Sequence, residues 1–184
     1  MITALISVYN SMDDGLEGCI KSLSGKCEKL MIADGYYENP RDDERYPYLG
    51  SASTDGTLEY CKGLSNADWV DAPETFYQAQ VEKWNRMTRQ VEDNVWMLLI
   101  DPDERMIGNP GSLARSVDYV PVKVVDPDGQ VMYYIRLVKK TKGMVWTDWC
   151  TVKSPAGIEV SLYLGNISEQ VYIEHTRRFR NSPK

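Results

Sequence analysis

The chain holds 184 residues with a mass of 21.0 kDa, 42% of them hydrophobic and 26% charged. That is the size and composition of one globular domain, and it is foreign to disordered, collagenous and coiled-coil chains. The 21 Lys and Arg against 27 Asp and Glu give a net charge of −6 and a pI near 4.9, the opposite of the basic footprint of a nucleic-acid binder.

Residues 4–8, Ala-Leu-Ile-Ser-Val, read as a short buried strand followed by a polar turn, Tyr9-Asn10-Ser11. Ser11 and Asp14 have the spacing of a helix N-cap and its acidic partner. Leu16, Cys19, Ile20 and Leu23 then repeat at helical spacing, and Gly25 closes the helix. Leu30 to Ala33 is a second strand, ended by Asp34-Gly35. Strand, helix, strand at this spacing opens an α/β unit with a right-handed crossover. Residues 36–53 are polar, charged and rich in tyrosine without a period, a long loop of the kind that tends to carry function. Thr54 to Lys62 reads as a helix and Trp69 to Asp71 as a strand. Glu74 to Glu92 reads as the longest helix, with Tyr77, Val81, Trp84, Met87 and Val91 in one apolar stripe. Val95 to Ile100 is apolar throughout, as expected of a strand covered on both faces.

Beyond Asp101-Pro102-Asp103-Glu104 the pattern changes. Asn109-Pro110 caps a short helix running to about Val117. Tyr119 to Val125 and Gln130 to Lys139 flank the turn signal Asp126-Pro127-Asp128-Gly129. Met144 to Val152 reads as a strand, Pro155-Ala156-Gly157 as a turn, and Val171 to Glu174 as a late strand before His175 and the basic tail Arg177 to Arg180. The order is βαβαβαβ, then mostly β. No apolar run approaches the roughly 18 residues of a membrane helix, and the N-terminus lacks the charged and apolar regions of a signal peptide. Cys19, Cys27, Cys61 and Cys150 form no C-x-x-C pair, which argues against a zinc site and for reduced thiols in the cytoplasm.

Three of the four early strands end in an aspartate: Asp34, Asp71 and Asp101. Open α/β sheets bind ligands outside the carboxyl ends of their strands. The strand ending at Ile100 delivers two carboxylates, Asp101 and Asp103, at i and i+2, onto one side of an extended chain. Neighbouring carboxylates repel, and a divalent cation removes the conflict. A solvated acidic turn is the plainer reading of the same tetrapeptide.

Five segments then occur in order. They are Ile6-Ser7-Val8-Tyr9-Asn10, Ile32-Ala33-Asp34-Gly35, Ser53-Thr54-Asp55-Gly56-Thr57, Lys83-Trp84-Asn85, and Trp96 to Glu104 with its Asp-x-Asp. Tyr134 to Lys140 and Gly143 to Trp146 follow. Together they resemble a family 2 glycosyltransferase of the GT-A type over roughly residues 2–146. The resemblance implies a GT-A (nucleotide-diphospho-sugar transferase) α/β fold. It has a Rossmann-like mixed central sheet flanked by helices and a β-rich C-terminal part. It would form a single domain over 1–184, with 1–104 the nucleotide-sugar half and 105–184 the acceptor side. By the same resemblance Ser7, Tyr9 and Asp34 would meet the base and ribose of the donor, while Lys83 and Arg86 would reach a phosphate; a solvated helix face pairing with Glu82 or Gln90 is the equal alternative for those two. Asp101 and Asp103 would hold ribose and Mn²⁺ or Mg²⁺, and His175 would join them on the metal. The partners implied are a nucleoside diphosphate sugar, UDP-linked by the family's habit, and an acceptor on a glycan, lipid or protein.

Two departures stand out. Residues 36–52 are inserted beside the donor pocket, with Tyr36, Tyr37 and Tyr46 able to stack on a sugar or base and the segment placed to close over it. The positions where inverting members carry a His-Glu read Thr151-Val152, so Asp148 becomes the candidate base, with Glu159 second. A catalytically silent nucleotide-sugar-binding or assembly module is therefore the rival reading. A nucleotidyltransferase would need a glycine-rich basic loop that Ser7 to Ser11 does not provide. An aspartate-nucleophile phosphatase would place its Asp-x-Asp near the chain start rather than at residue 101.

Overall fold

A computed structural model describes residues 1–37, 50–113, 118–147, 151–153, 159–160 and 170–176. Its elements in chain order are β1 (Ile2–Val8), α1 (Leu16–Leu23), β2 (Lys29–Asp34), α2 (Thr57–Lys62), β3 (Ala67–Val70), α3 (Gln80–Thr88) and β4 (Trp96–Ile100). The second half holds β5 (Glu104–Ile107), a 3₁₀ turn at Pro110–Ser112, β6 (Tyr119–Val125), β7 (Val131–Lys139), β8 (Val145–Trp146), β9 (Val152–Lys153), β10 (Glu159–Val160) and β11 (Tyr172–His175). Eight strands form one mixed sheet in the order β3-β2-β1-β4-β7-β6-β11-β5, and β10-β9-β8 form a small second sheet.

The first four strands run parallel, with Leu5 of β1 level with Met31 of β2 and Leu99 of β4. Alternation along them explains the two cores. Ala4, Ile6 and Val8 face the Leu16, Cys19 and Leu23 stripe of α1, while Leu5, Met97 and Leu99 face Trp84 and Met87 of α3. β7 then joins β4 antiparallel and pairs with β6 in a hairpin. β11 lies parallel to β6 and antiparallel to β5 at the far edge. This is an α/β architecture whose parallel half is covered by helices and whose later half is β-rich, as the sequence implies.

Several boundaries differ from the sequence reading. α1 starts at Leu16 behind Gly15, not at a Ser11 cap; the Ser11 hydroxyl accepts instead from the Tyr9 amide at 3.0 Å. α2 starts at Thr57 rather than Thr54, because Ser53, Thr54 and Asp55 are spent on the loop after β1. α3 covers only Gln80–Thr88 of the expected Glu74 to Glu92. Tyr77 is buried at the helical spacing for another reason: it bridges to Tyr37 and donates its amide to the Tyr36 carbonyl at 2.9 Å. The helix after Asn109 is one 3₁₀ turn, with residues 114–117 outside the described residues. The single strand expected over Met144 to Val152 is two short ones, β8 and β9. Glu104, the last residue of the expected acidic turn, opens the strand β5, which the sequence reading does not assign. Among the described residues no helix is long and apolar enough to cross a membrane.

Two of the sequence motifs meet each other. Asn85 of α3 brackets the backbone of Trp146, giving its amide to the carbonyl at 2.9 Å and accepting from the N–H at 2.8 Å. The Trp146 indole in turn donates to the buried Thr88 hydroxyl at 3.0 Å. The small second sheet is thereby anchored to α3.

Candidate active site

A cavity of about 290 Å³ opens at the carboxyl ends of β1 and β4. Ser7, Val8 and Tyr9 form one wall, Asp101, Pro102 and Asp103 another, and His175 reaches in from β11. Gln80 and Lys83 of α3, Tyr36 and Tyr37, and Ser11 and Asp14 of the loop after β1 complete it. Of the residues picked out in the sequence, Ser7, Tyr9, Lys83, Asp101, Asp103 and His175 line this one space.

Asp34 and Arg86 do not line it. Asp34 is 1% exposed, and its two carboxylate oxygens accept from the Ser53 hydroxyl at 2.6 Å and the Ser53 amide at 2.9 Å. Around it the Ser-Thr-Asp-Gly-Thr segment acts as a clasp on the loop after β1. The Ser53 hydroxyl oxygen accepts from the Asn10 amide, Asn10 Oδ1 from the Thr54 amide, and Asp55 from the Met12 amide. Asn10 itself stands at φ 45, a left-handed conformation that asparagine tolerates. Arg86 donates to the Tyr77 hydroxyl at 3.2 Å and lies over that ring.

Lys83 is not on a solvated helix face either. It is wholly buried, and its Nζ donates to the carbonyls of Val8 at 2.7 Å and Gly35 at 2.8 Å, tying the ends of β1 and β2 together. The rings of Tyr37 and Tyr77 flank it. Burial pushes its ammonium down to about 7, against the opposing pull of Asp34 and Asp101. Gly35 has φ +124, and a Cβ there would meet the Tyr77 ring at 2.8 Å, so no other residue fits this crossing.

The acidic end of β4 is held from the second half of the chain. Asp101 gives its amide to Glu104 Oε2 at 2.8 Å, and its Oδ2 receives Arg136 of β7 at 3.4 Å. Gln80 approaches its Oδ1 at 3.4 Å. Arg136 and Glu104, both buried, pair at 2.8 Å. Burial drives the Glu104 carboxyl up to about 8, with the Arg136 charge opposing and Asp101 adding to the rise. Asp103 keeps its side chain partly open to the cavity, and Oδ2 meets His175 Nε2 at 3.3 Å. Burial raises the Asp103 carboxyl, His175 lowers it, and Asp101 raises it further. The Asp103 carbonyl accepts from both the amide and the hydroxyl of Thr176, which locks β11 against this turn.

Gln80 carries no site signal of its own in the sequence, and Glu104 and Arg136 lie in the resembling segments Trp96 to Glu104 and Tyr134 to Lys140 with no role implied for either. Glu104 reads as one more acid in a turn, and Arg136 as one base in a strand. The candidate base Asp148 lies outside the described residues, as do Tyr46, most of the 36–52 insertion and the tail from Arg177 to Arg180. Of the second candidate, Glu159, only the backbone is described, within β10. Among the described residues no group of three or more His, Cys, Asp and Glu side chains is gathered to hold a metal ion.

No protein-family model matches the sequence, and no curated protein matches it either. The structure is similar to that of Staphylococcus aureus TarS, a glycosyltransferase, with a TM-score of 0.52 at 18% identity. That match covers 70% of this chain and 22% of TarS. Against TarS 1-349 the TM-score is 0.50 at 19% identity, covering 70% of this chain and 37% of that one. The fold is glycosyltransferase-like. The chain thus spans well under half of each structure, and the likeness is one of fold.

Proposed function

We propose that this chain is a GT-A transferase of the family 2 type. It would move a sugar from a nucleoside diphosphate sugar, UDP-linked by preference, to an acceptor hydroxyl on a glycan, lipid or protein. One observation carries the reading: Ser7, Tyr9, Asp101, Asp103 and His175 converge on one cavity at the strand ends of a glycosyltransferase-like fold. Such strand ends are where α/β sheets bind nucleotides.

An acidic chain repels a diphosphate unless a cation intervenes. Asp103 and His175 are the residues that would hold Mn²⁺ or Mg²⁺. They offer a hard oxygen and an imidazole 3.3 Å apart beside the cavity. Ions of this kind commonly take one or two protein ligands and complete their shell with water and substrate phosphates, so two donors fit without a third. The bound ion would supply charge neutralisation for the departing diphosphate.

The remaining roles fall to the chain itself. Ser7 and Tyr9 would face the nucleoside. The Tyr9 ring is fixed by its hydroxyl, which donates to the Gly50 carbonyl at 3.1 Å. Asp101, already engaged by Arg136 and Gln80, is held to accept from a donor hydroxyl and stands behind Asp103 as the lesser metal candidate. Lys83 would act at one remove, by fixing the backbone ends of β1 and β2 that shape the pocket. Asp148 is the proposed base for an inverting attack, in which the acceptor oxygen displaces the diphosphate from the opposite face. The proposed compartment is the cytoplasm, where Cys19, Cys27 and Cys61, all buried and unbridged, would stay reduced.

The test is release of UDP from UDP-sugars, with and without Mn²⁺, by the parent chain and by Asp103→Ala. Loss of an ion that stabilises the leaving group by several kcal/mol corresponds to a fall on the order of 10³-fold. Equal, metal-independent release by both chains would reject the proposal. Tight UDP-sugar binding by calorimetry without turnover on any acceptor would favour the silent module.

A further inference from the structure

The acidic turn is tied to α1 as well as to β7 and β11. Arg105, the second residue of β5, stands opposite the exposed Glu174 of β11, but its guanidinium turns towards α1. It lies across the start of that helix, where Gly15 and Gly18 leave room for it. A Cβ at Gly18 would stand 2.5 Å from Nη2, 2.6 Å from Nε and 2.7 Å from Cζ, and one at Gly15 would stand 2.7 Å from Nη2. Gly15, at φ +96, needs glycine for its backbone alone. Gly18 does not: it sits in regular helix, where only proline is less favourable than glycine. What Gly18 supplies is space for the guanidinium. A helix start also disfavours a cation, so α1 by itself does not account for the arginine.

The carbonyls of the acidic turn do. Nη1 of Arg105 donates to the Glu104 carbonyl at 2.8 Å and approaches the Pro102 carbonyl at 3.4 Å. The other two carbonyls of the turn are engaged as well: that of Asp101 accepts from the Glu104 amide at 3.0 Å, and that of Asp103 from Thr176. The next residue of β5, Met106, docks on the same helix, its amide donating to the Ser22 hydroxyl at 3.0 Å. Arg105 therefore joins two walls of the cavity. One is the turn that carries Asp101, Pro102 and Asp103; the other is the loop leading into α1 that carries Ser11 and Asp14.

We infer that Arg105 is a positioning residue that sets the spacing between these two walls, with Gly18 kept bare so that the guanidinium can seat. The effect on ligand binding rests on the reading of this cavity as the nucleotide site. The mechanical effect on the turn is independent of any ligand.

Gly18→Ala separates the two. The atoms in the way of the new methyl are the far end of a flexible side chain, so the helix is expected to persist while the guanidinium is displaced. Amide hydrogen exchange of the full chain reads the turn with nothing bound. The Glu104 and Thr176 amides, which close the turn, are expected to exchange roughly 10-fold faster in both Gly18→Ala and Arg105→Ala, while the amides that pair β1 with β2 follow global stability only. UDP affinity in the presence of Mn²⁺, measured by calorimetry well below the unfolding midpoint, is expected to fall on the order of 10-fold in both variants. In an Arg105→Ala background, Gly18→Ala should add nothing to either loss and should raise the urea midpoint, as alanine for glycine does in an unobstructed helix. Unchanged exchange at Glu104 and Thr176 in Arg105→Ala, or an equal effect of Gly18→Ala in both backgrounds, overturns the inference. Faster exchange with unchanged UDP affinity reduces Arg105 to a structural tie and overturns its positioning role. A parent chain that binds no UDP overturns the nucleotide reading, while faster exchange in the two variants still supports the tie between the walls.

Discussion

The parallel half of the sheet and the antiparallel half handle buried charge in opposite ways. In the parallel half the buried Asp34 and Lys83 are satisfied within that half. Asp34 is taken up by Ser53, and Lys83 by the carbonyls of Val8 and Gly35. In the antiparallel half the buried groups reach across the seam. Arg136 of β7 serves Asp101 and Glu104, and His175 of β11 meets Asp103. The first half is thus a scaffold whose buried charges are met from within it, while the acidic corner at the end of β4 takes its shape and charge balance from β7 and β11 of the second half. A site built on such a seam exists only when both halves have docked.

Arg136→Met is the sharpest way to break the seam. It leaves Glu104 buried beside Asp101 with no counter-charge, a situation that costs about 3–5 kcal/mol. Urea denaturation of the full chain measures it. Adding Glu104→Gln should recover a good part of the loss, because removing a buried pair together is far cheaper than orphaning one partner. A cost below about 1 kcal/mol for Arg136→Met, the range of an exposed pair, would mean that solvent reaches this corner.

The scaffold side predicts a smaller loss of a different kind. Ser53→Ala removes the one hydroxyl that both donates to Asp34 and accepts from the Asn10 amide, and should cost about 1–3 kcal/mol. Because Asp34 faces Ser53 and not the cavity, nucleotide affinity measured well below the new midpoint should stay close to that of the parent. A selective loss of nucleotide affinity with unchanged stability would return Asp34 to the donor site.

The same contrast explains what the residues announced in advance. β1, β2 and β4 are legible because each is a short apolar run covered on both faces, and the run needs no partner to be recognised. The convergence of Ser7, Tyr9, Asp101 and Asp103 follows from strand ends of one parallel sheet. β5 stayed hidden because its alternation, Glu104-Arg105-Met106-Ile107, buries a glutamate where a hydrophobic residue is expected, and only Arg136 makes that tolerable. The sequence reading over-extends α3 because Tyr77, held by Tyr36 and Tyr37, and Val91, packed in the core with Val95 and Met97, continue its apolar stripe, and spacing alone does not tell a helix from the chain that flanks it. Asp126 reads as turn chemistry because it is in a turn; its burial beside His175 depends on a register between β6 and β11 that no local pattern encodes. Lys83 looked solvated because a lysine on an amphipathic helix normally is.

Lys83 also gives the finest test of how self-contained the scaffold is. A neutral amine keeps two hydrogens, and two carbonyls, those of Val8 and Gly35, wait for them. The third proton has the more distant charges of Asp34 and Asp101 and the flanking rings of Tyr37 and Tyr77 to favour it, but burial against it is larger, and the group falls from 10.5 to about 7. With the folded value below the unfolded one, the stability it contributes is present above about 10.5 and is lost as pH falls through about 7. Between these limits the unfolded chain binds the extra proton and the folded chain does not. The slope for one group is at most about 1.4 kcal/mol per pH unit. Urea midpoints from pH 7 to 10 should therefore show the parent gaining on Lys83→Met as pH rises, with Lys83→Met lower throughout because two buried carbonyls lose their donor. A gap that stays constant over this range would mean that the ammonium keeps all three protons at high pH, and that Asp34 and Asp101 act on it more strongly than their hydrogen-bonded partners suggest.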